Sequence, residues 1–146
     1  MKIKTLSAIL ILTFLCTVSA MTEEMWNTNY TASLETAKKE GKMVLLDFTG
    51  SDWCGWCIKL DKEIFAQKAF KEYAAKNLVL VKLDFPRSKP QTAEIKQQNQ
   101  ELAAKFDIKG YPTVIVLNAD GKKVGRLGYM EGGPSAFIAE LNKLKN

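Results

Sequence analysis

Residues 42–57 read Lys-Met-Val-Leu-Leu-Asp-Phe-Thr-Gly-Ser-Asp-Trp-Cys-Gly-Trp-Cys, and the fold turns on how they are interpreted. Lys42 to Thr49 is a short apolar run without alternation, as in a central strand buried on both faces. Thr49-Gly50-Ser51-Asp52 is a turn. A helix is predicted to start at Cys54-Gly55-Trp56-Cys57 and to run through Ile58, Leu60, Ile64 and Phe65. A segment around Phe70 to Ala75 continues it or follows a break.

The two cysteines carry the chemistry. A thiolate is the working nucleophile, and the free N–H groups and positive dipole end of a helix N-terminus favour it. Cys54 sits at that junction, and Cys57, one turn on, is placed to close a disulfide with it. One thiol of such a pair attacks a foreign disulfide and the other resolves the mixed intermediate. Two blander readings compete. A purely structural disulfide would close a ring too small to constrain an unfolded chain by much. Half of a metal site lacks a second Cys or His pair to complete it.

Working outward, Asn29 caps a predicted helix from Tyr30 to Glu40 that Gly41 stops, after an extended lead-in from Met21. Leu78 to Asp84 is a second buried strand, and Phe85 to Pro90 is a loop with two prolines. Gln91 to Phe106 is a polar helix with Ile95, Leu102 and Phe106 inward, its Gln97-Gln98-Asn99-Gln100 run read as a solvated face. Pro112 to Leu117 and Lys122 to Leu127 form a hairpin around Asn118-Ala119-Asp120-Gly121. Gly132-Gly133-Pro134 opens a last helix with Phe137, Ile138, Leu141 and Leu144 inward. This order predicts an α/β fold: a central mixed sheet with helices on both faces, two parallel strand–helix–strand crossovers and an antiparallel hairpin edge.

The first twenty residues read differently. Lys2 and Lys4 precede an apolar run from Leu6 to Val18, ending in Val18-Ser19-Ala20. That is the pattern of a cleaved signal peptide, too short for a transmembrane helix of ~20 apolar residues. Residues 21–146 are then the mature domain. Without Lys2 and Lys4 the basic count falls from 21 to 19 against 16 acidic residues, too little for a nucleic-acid binder. Without Cys16, the cysteines are the motif pair alone. The chain has no histidine, which excludes Ser-His-Asp and Cys-His nucleophile systems and His-ligated zinc. The address and the absence of a retention signal point to the periplasm of a bacterium. No coiled-coil stretch or spare domain signals a dimer, so a monomer is expected.

Leu45-Leu46-Asp47-Phe48, Asp52-Trp53-Cys54-Gly55-Trp56-Cys57, Val81-Lys82-Leu83-Asp84, Gly110-Tyr111-Pro112-Thr113 and Gly128 form an ordered set. By that set the chain resembles the thioredoxin superfamily over about Leu34 to Leu144. With the signal peptide, it looks most like the periplasmic disulfide reductants of that superfamily, the chlamydial DsbH-like proteins and the DsbD C-terminal domain. The resemblance implies a thioredoxin fold and a thiol–disulfide oxidoreductase without a cofactor. It makes Cys54 the attacking thiol and Cys57 the resolving thiol. Tyr111-Pro112 would be a cis peptide bond facing the disulfide, with the Tyr111 backbone pairing to an extended substrate segment. Asp47 would be the buried carboxylate behind Cys57, and Lys82 its partner. Trp53 would pack and shield the site, and Trp56 would offer apolar area to substrates.

The partners implied are disulfide-containing exported proteins and a DsbD-type membrane electron donor. Three departures from thioredoxin stand out. The Asp47–Cys54 spacing is one residue longer. The loop and helix from Phe85 to Gln100 are longer too. The active-site helix lacks the proline that often kinks it, which predicts a straight second half. With no histidine between the cysteines, and Asp52 beside them partly offset by Lys59, the potential should lie nearer thioredoxin's ~−270 mV than DsbA's ~−120 mV. A net oxidant and a non-catalytic binding module are the alternatives.

Overall fold

A computed structural model describes residues 25–145; the signal-peptide reading of residues 1–20 lies outside them. The strands are β1 (Trp26–Asn27), β2 (Met43–Thr49), β3 (Leu78–Asp84), β4 (Thr113–Leu117) and β5 (Lys123–Leu127). They form one sheet in the order β1-β3-β2-β4-β5. The helices are α1 (Tyr30–Glu40), α2 (Gly55–Leu60), α3 (Lys68–Asn77), α4 (Ala93–Lys105) and α5 (Gly133–Lys143).

Local chemistry sets the first elements. Asn29 Oδ1 accepts from Ala32 N–H at 2.9 Å, and Gly41 ends α1 at φ +66°, a left-handed conformation in which a Cβ is strained. All seven residues of β2 are buried. Their alternation divides the core in two. Met43 and Leu45 pack with Leu78, Leu80, Val114 and Val116 under α2, α3 and α5. Val44, Leu46 and Phe48 pack with Val79, Val81, Leu83 and Ile115 under α1 and α4. Asp47 shares the first of these faces and therefore points beneath the helix that carries the cysteines.

Three expectations are corrected. Only one of the two crossovers is parallel. β2 and β3 pair in parallel, but β4 joins β2 antiparallel. Thr49 is level with Asp84 and Phe48 with Thr113, so β3 ends and β4 begins at the same end of the sheet. Chain that leaves and re-enters at one end must run back down. The second correction concerns the active-site helix, which is not straight. A π turn at Asp61–Phe65 follows α2, with Ala66 N–H donating to Asp61 C=O at 2.7 Å, and a break precedes α3. This wider turn buries both Ile64 and Phe65. The third concerns Gln97–Gln100, which is only partly a solvated face. Asn99 is buried and donates to Asp84 C=O at 2.9 Å, and Gln98 joins Thr28 C=O to Tyr30 N–H. Polar side chains reach inward here because the loop backbone needs partners.

Candidate active site

Cys54 caps α2, and its disulfide to Cys57 closes the first turn, with the Cα atoms 5.2 Å apart. Cys57 N–H donates to Cys54 Sγ at 3.2 Å. In the reduced protein the same donor supports a thiolate at Cys54. Both cysteines are largely buried, Cys54 at 7% and Cys57 at 3% exposure, so the first is the more accessible of the two. The Tyr111–Pro112 peptide bond is cis, and Thr113 Oγ1 donates to Gly110 C=O at 2.7 Å across that loop.

Behind Cys57 lies a cavity of about 270 Å³ lined by Asp47, Ser51, Asp61, Lys82 and Lys89 among others. A larger cleft of about 430 Å³, near Lys76, Asn118 and Lys145, sits at the opposite end of the sheet and touches neither cysteine. Asp47 is 4% exposed, and its Oδ1 has no hydrogen-bond partner among the described residues. Burial pushes its carboxyl up to about 7; Lys82 pulls it down, and the charges of Asp61 and Asp84 push it further up. Lys82 is level with Asp47 on the neighbouring strand. Its Nζ lies 5.3 Å from the Trp26 ring centroid rather than in an ion pair with Asp47.

The loop before the cysteines is bolted to the loop after β3. Ser51 N–H and Oγ donate to the Asp84 carboxylate at 2.9 and 2.5 Å. Asp52 accepts from Arg87 N–H at 3.0 Å and Ser88 N–H at 2.7 Å, which hold its carboxyl below the usual range. Trp53 Nε1 donates to Phe85 C=O at 2.8 Å. Arg87 lies over the Trp53 ring at 3.9 Å, and Tyr111 meets its edge at 5.9 Å. Trp53 is thus fixed, whereas Trp56 is 58% exposed.

All eight residues expected at the site fall at this end of the sheet. Asp47 and Lys82 line the cavity with Cys57; Trp53 and Trp56 neighbour the cysteines in the chain, Tyr111 meets Trp53, and Pro112 directly precedes β4. Asp61, Arg87 and Tyr129 were not anticipated. Asp61 stands four residues after Cys57, so helical spacing alone puts it on the same face. Nothing in the local sequence singles out Tyr129. Among the described residues no group of three or more His, Cys, Asp or Glu is placed to hold a metal ion.

A thiol at a helix start, a more deeply buried partner thiol and a titratable carboxylate behind it define a dithiol–disulfide exchange centre. The chain belongs to the thioredoxin-like domain family, which matches residues 30–145, and it is a thiol–disulfide oxidoreductase of that family. Within the family it is 39% identical over 113 residues to the disulfide bond reductase DsbH of Chlamydia pneumoniae, covering 77% of this chain and 68% of that protein. A solved DsbH oxidoreductase has a TM-score of 0.77 at 38% identity, covering 82% of each chain. The reduced C-terminal domain of Neisseria meningitidis DsbD has a TM-score of 0.59 at 25% identity, covering 79% of this chain and 93% of that one.

Proposed function

We propose that this oxidoreductase works in the periplasm as a net reductant or isomerase of disulfides in exported proteins. The observation that carries the direction is how little stabilises a thiolate at Cys54. Among the described residues its Sγ has one hydrogen bond, from Cys57 N–H. Lys59, the cation nearest in sequence, lies against Trp56 and Tyr129, and Arg87 on the rim lies against Trp53. A weakly stabilised reduced form gives up its electrons readily and so favours reduction of the substrate. The similarity to a disulfide bond reductase supports the same direction.

The reaction runs in two exchanges. The Cys54 thiolate attacks one sulfur of the substrate disulfide, forms a mixed disulfide and releases one substrate thiolate, which takes a proton. Asp47 accepts the Cys57 proton through the cavity that they share. The Cys57 thiolate then attacks Cys54 Sγ, forms the Cys54–Cys57 bond and releases the second substrate sulfur as a thiolate, which takes a proton from solvent. Two electrons pass to the substrate, and a dithiol donor of the DsbD type restores the reduced enzyme. Lys82 moderates the charge on Asp47. The Tyr111 backbone beside Pro112 pairs with an extended substrate segment, Trp53 shields the disulfide, and Trp56 offers apolar contact.

Insulin reduction by the wild type, with Cys54→Ser as control, tests the activity. Turnover should fall to background in the variant. No turnover in the wild type would favour a binding module. Thiol alkylation in cells tests the direction: the motif should be mostly reduced, and a mostly oxidised pool would mark a net oxidant.

A further inference from the structure

Trp56 leaves a large apolar ring in water beside the nucleophile, and the ring is already held. Its centroid is 5.2 Å from that of Tyr129, with the planes at 48°. Lys59 Nζ lies 5.0 Å from the Trp56 ring and 4.8 Å from the Tyr129 ring. Tyr129 donates its hydroxyl to Glu63 Oε2 at 2.7 Å. Three segments meet in this cluster: α2, the π turn and the loop after β5.

The chemistry of the cluster selects its occupant. A ring face attracts cations, and here Lys59 already sits against both rings. A basic side chain of a partner therefore finds that interaction taken. Glu63, one helical turn after Lys59, balances its charge, so an acidic side chain finds no net positive field. What stays open is neutral aromatic area on a side chain that loses little freedom on binding. An aliphatic or aromatic side chain fits that description.

We propose that Tyr129, supported by Lys59 and Glu63, is a specificity-determining positioning residue. It fixes Trp56 as a neutral platform for an apolar side chain flanking the disulfide under attack. The enzyme then prefers disulfides with apolar neighbours over those with polar neighbours and over small polar disulfides. This rests on the reading of Cys54 as the attacking thiol.

The test uses two synthetic peptides of equal length, each with one intramolecular disulfide. They differ in the residue next to the attacked cysteine, Leu in one and Ser in the other, and oxidised glutathione is the small comparison. Reduced enzyme is mixed with each under single-turnover conditions over a range of concentrations. The wild type should favour the Leu peptide by about tenfold, a part of what burying one aliphatic side chain contributes. Tyr129→Ala should cut that preference to about twofold or less, through a higher half-saturating concentration. Its limiting rate, and its rate with oxidised glutathione, should stay within about twofold of wild type. Tyr129→Phe keeps the ring and should restore most of the preference.

Equal rates for the two wild-type peptides, or an unchanged preference in Tyr129→Ala, would overturn the proposal. So would an equal slowing of all three disulfides by Tyr129→Ala, the mark of a purely structural residue. A wild type that reduces none of the three overturns the attacking-thiol reading itself, an outcome distinct from equal rates.

Discussion

Cys54 and Cys57 are three residues apart, but their surroundings differ in kind. Around Cys54 the polar groups are paired and the aromatics stacked: Asp52 on two backbone N–H groups, Trp53 on Phe85 C=O, Arg87 on Trp53 and Tyr129 on Glu63. Behind Cys57, Asp47 Oδ1 has no partner among the described residues, and burial raises the affinity of that carboxyl for a proton. A rim that meets substrates gains from fixed geometry, which lowers the ordering cost of binding. A site that must take up and release a proton gains from a carboxyl that burial poises near neutrality. In the proposed mechanism the two thiols divide the labour of recognition and proton transfer.

Asp47→Asn breaks the comparison at its buried end, with the largest effect. Release of the second substrate thiol should slow about ten- to hundredfold at pH 7, because the variant has no base behind Cys57. In the wild type this step should accelerate through pH about 7, the value to which Asp47 is raised, and in the variant that inflection should vanish. Rapid-quench trapping of the mixed disulfide between about pH 5.5 and 9 checks both. An inflection surviving in the variant would remove Asp47 from the proton path.

Stability should respond in the opposite sense. The carboxyl titrates at about 7 when folded against 3.8 ordinarily, so between those values the folded state holds a proton that the unfolded state has lost. The resulting stability is fully present below about pH 4 and is lost as pH rises through about 7. Denaturation of the oxidised proteins at pH 8 should therefore find Asp47→Asn the more stable by about 2–4 kcal/mol. At pH 4 that advantage should be absent.

Gly50→Ala attacks the rim, with an intermediate effect. A Cβ at Gly50 would lie 2.5 Å from Trp53 Cε2 and 2.7 Å from Nε1. The backbone there is fixed, since Gly50 C=O accepts from Trp53 N–H at 3.2 Å and Cys54 N–H at 2.9 Å. The indole is held by Phe85 C=O and Arg87. Something must move, at a cost of about 1–3 kcal/mol measured by denaturant unfolding. A neutral substitution would mean that the rim is looser than its hydrogen bonds indicate.

The difference between the two sides also decided what could be read from sequence. The buried side was largely legible. Largely apolar strands at Met43–Thr49 and Leu78–Asp84 announce themselves, and Asp47 and Lys82 stand out in them as polar interruptions. The direction of β4 was not legible, because apolar periodicity is the same whichever way a strand runs. The π turn was missed for a similar reason: an added residue in a helix needs no proline or glycine to mark it. On the rim, Trp53 and Trp56 were visible through their place beside the cysteines. Arg87 and Tyr129 come from distant loops, and only the closed fold brings them to those rings.

Arg87→Ala asks the finest question, whether the charge on the rim acts on the disulfide at all. The guanidinium lies over Trp53 at the exposed surface, where such an interaction contributes about 0.5–1 kcal/mol. Its loss should lower stability by no more than that. A cation that stabilised the Cys54 thiolate would stabilise the reduced form and raise the potential, so its removal would lower the potential. At an exposed position solvent and salt screen that influence, and Arg87 already faces an aromatic ring. Equilibration with glutathione should accordingly place the variant within about 10 mV of wild type. A fall of about 30 mV or more would assign about 1.4 kcal/mol of thiolate stabilisation to Arg87. In that case the rim would tune the thiol as well as recognise the substrate, and proton transfer behind Cys57 would no longer be the only electrostatic control on the exchange.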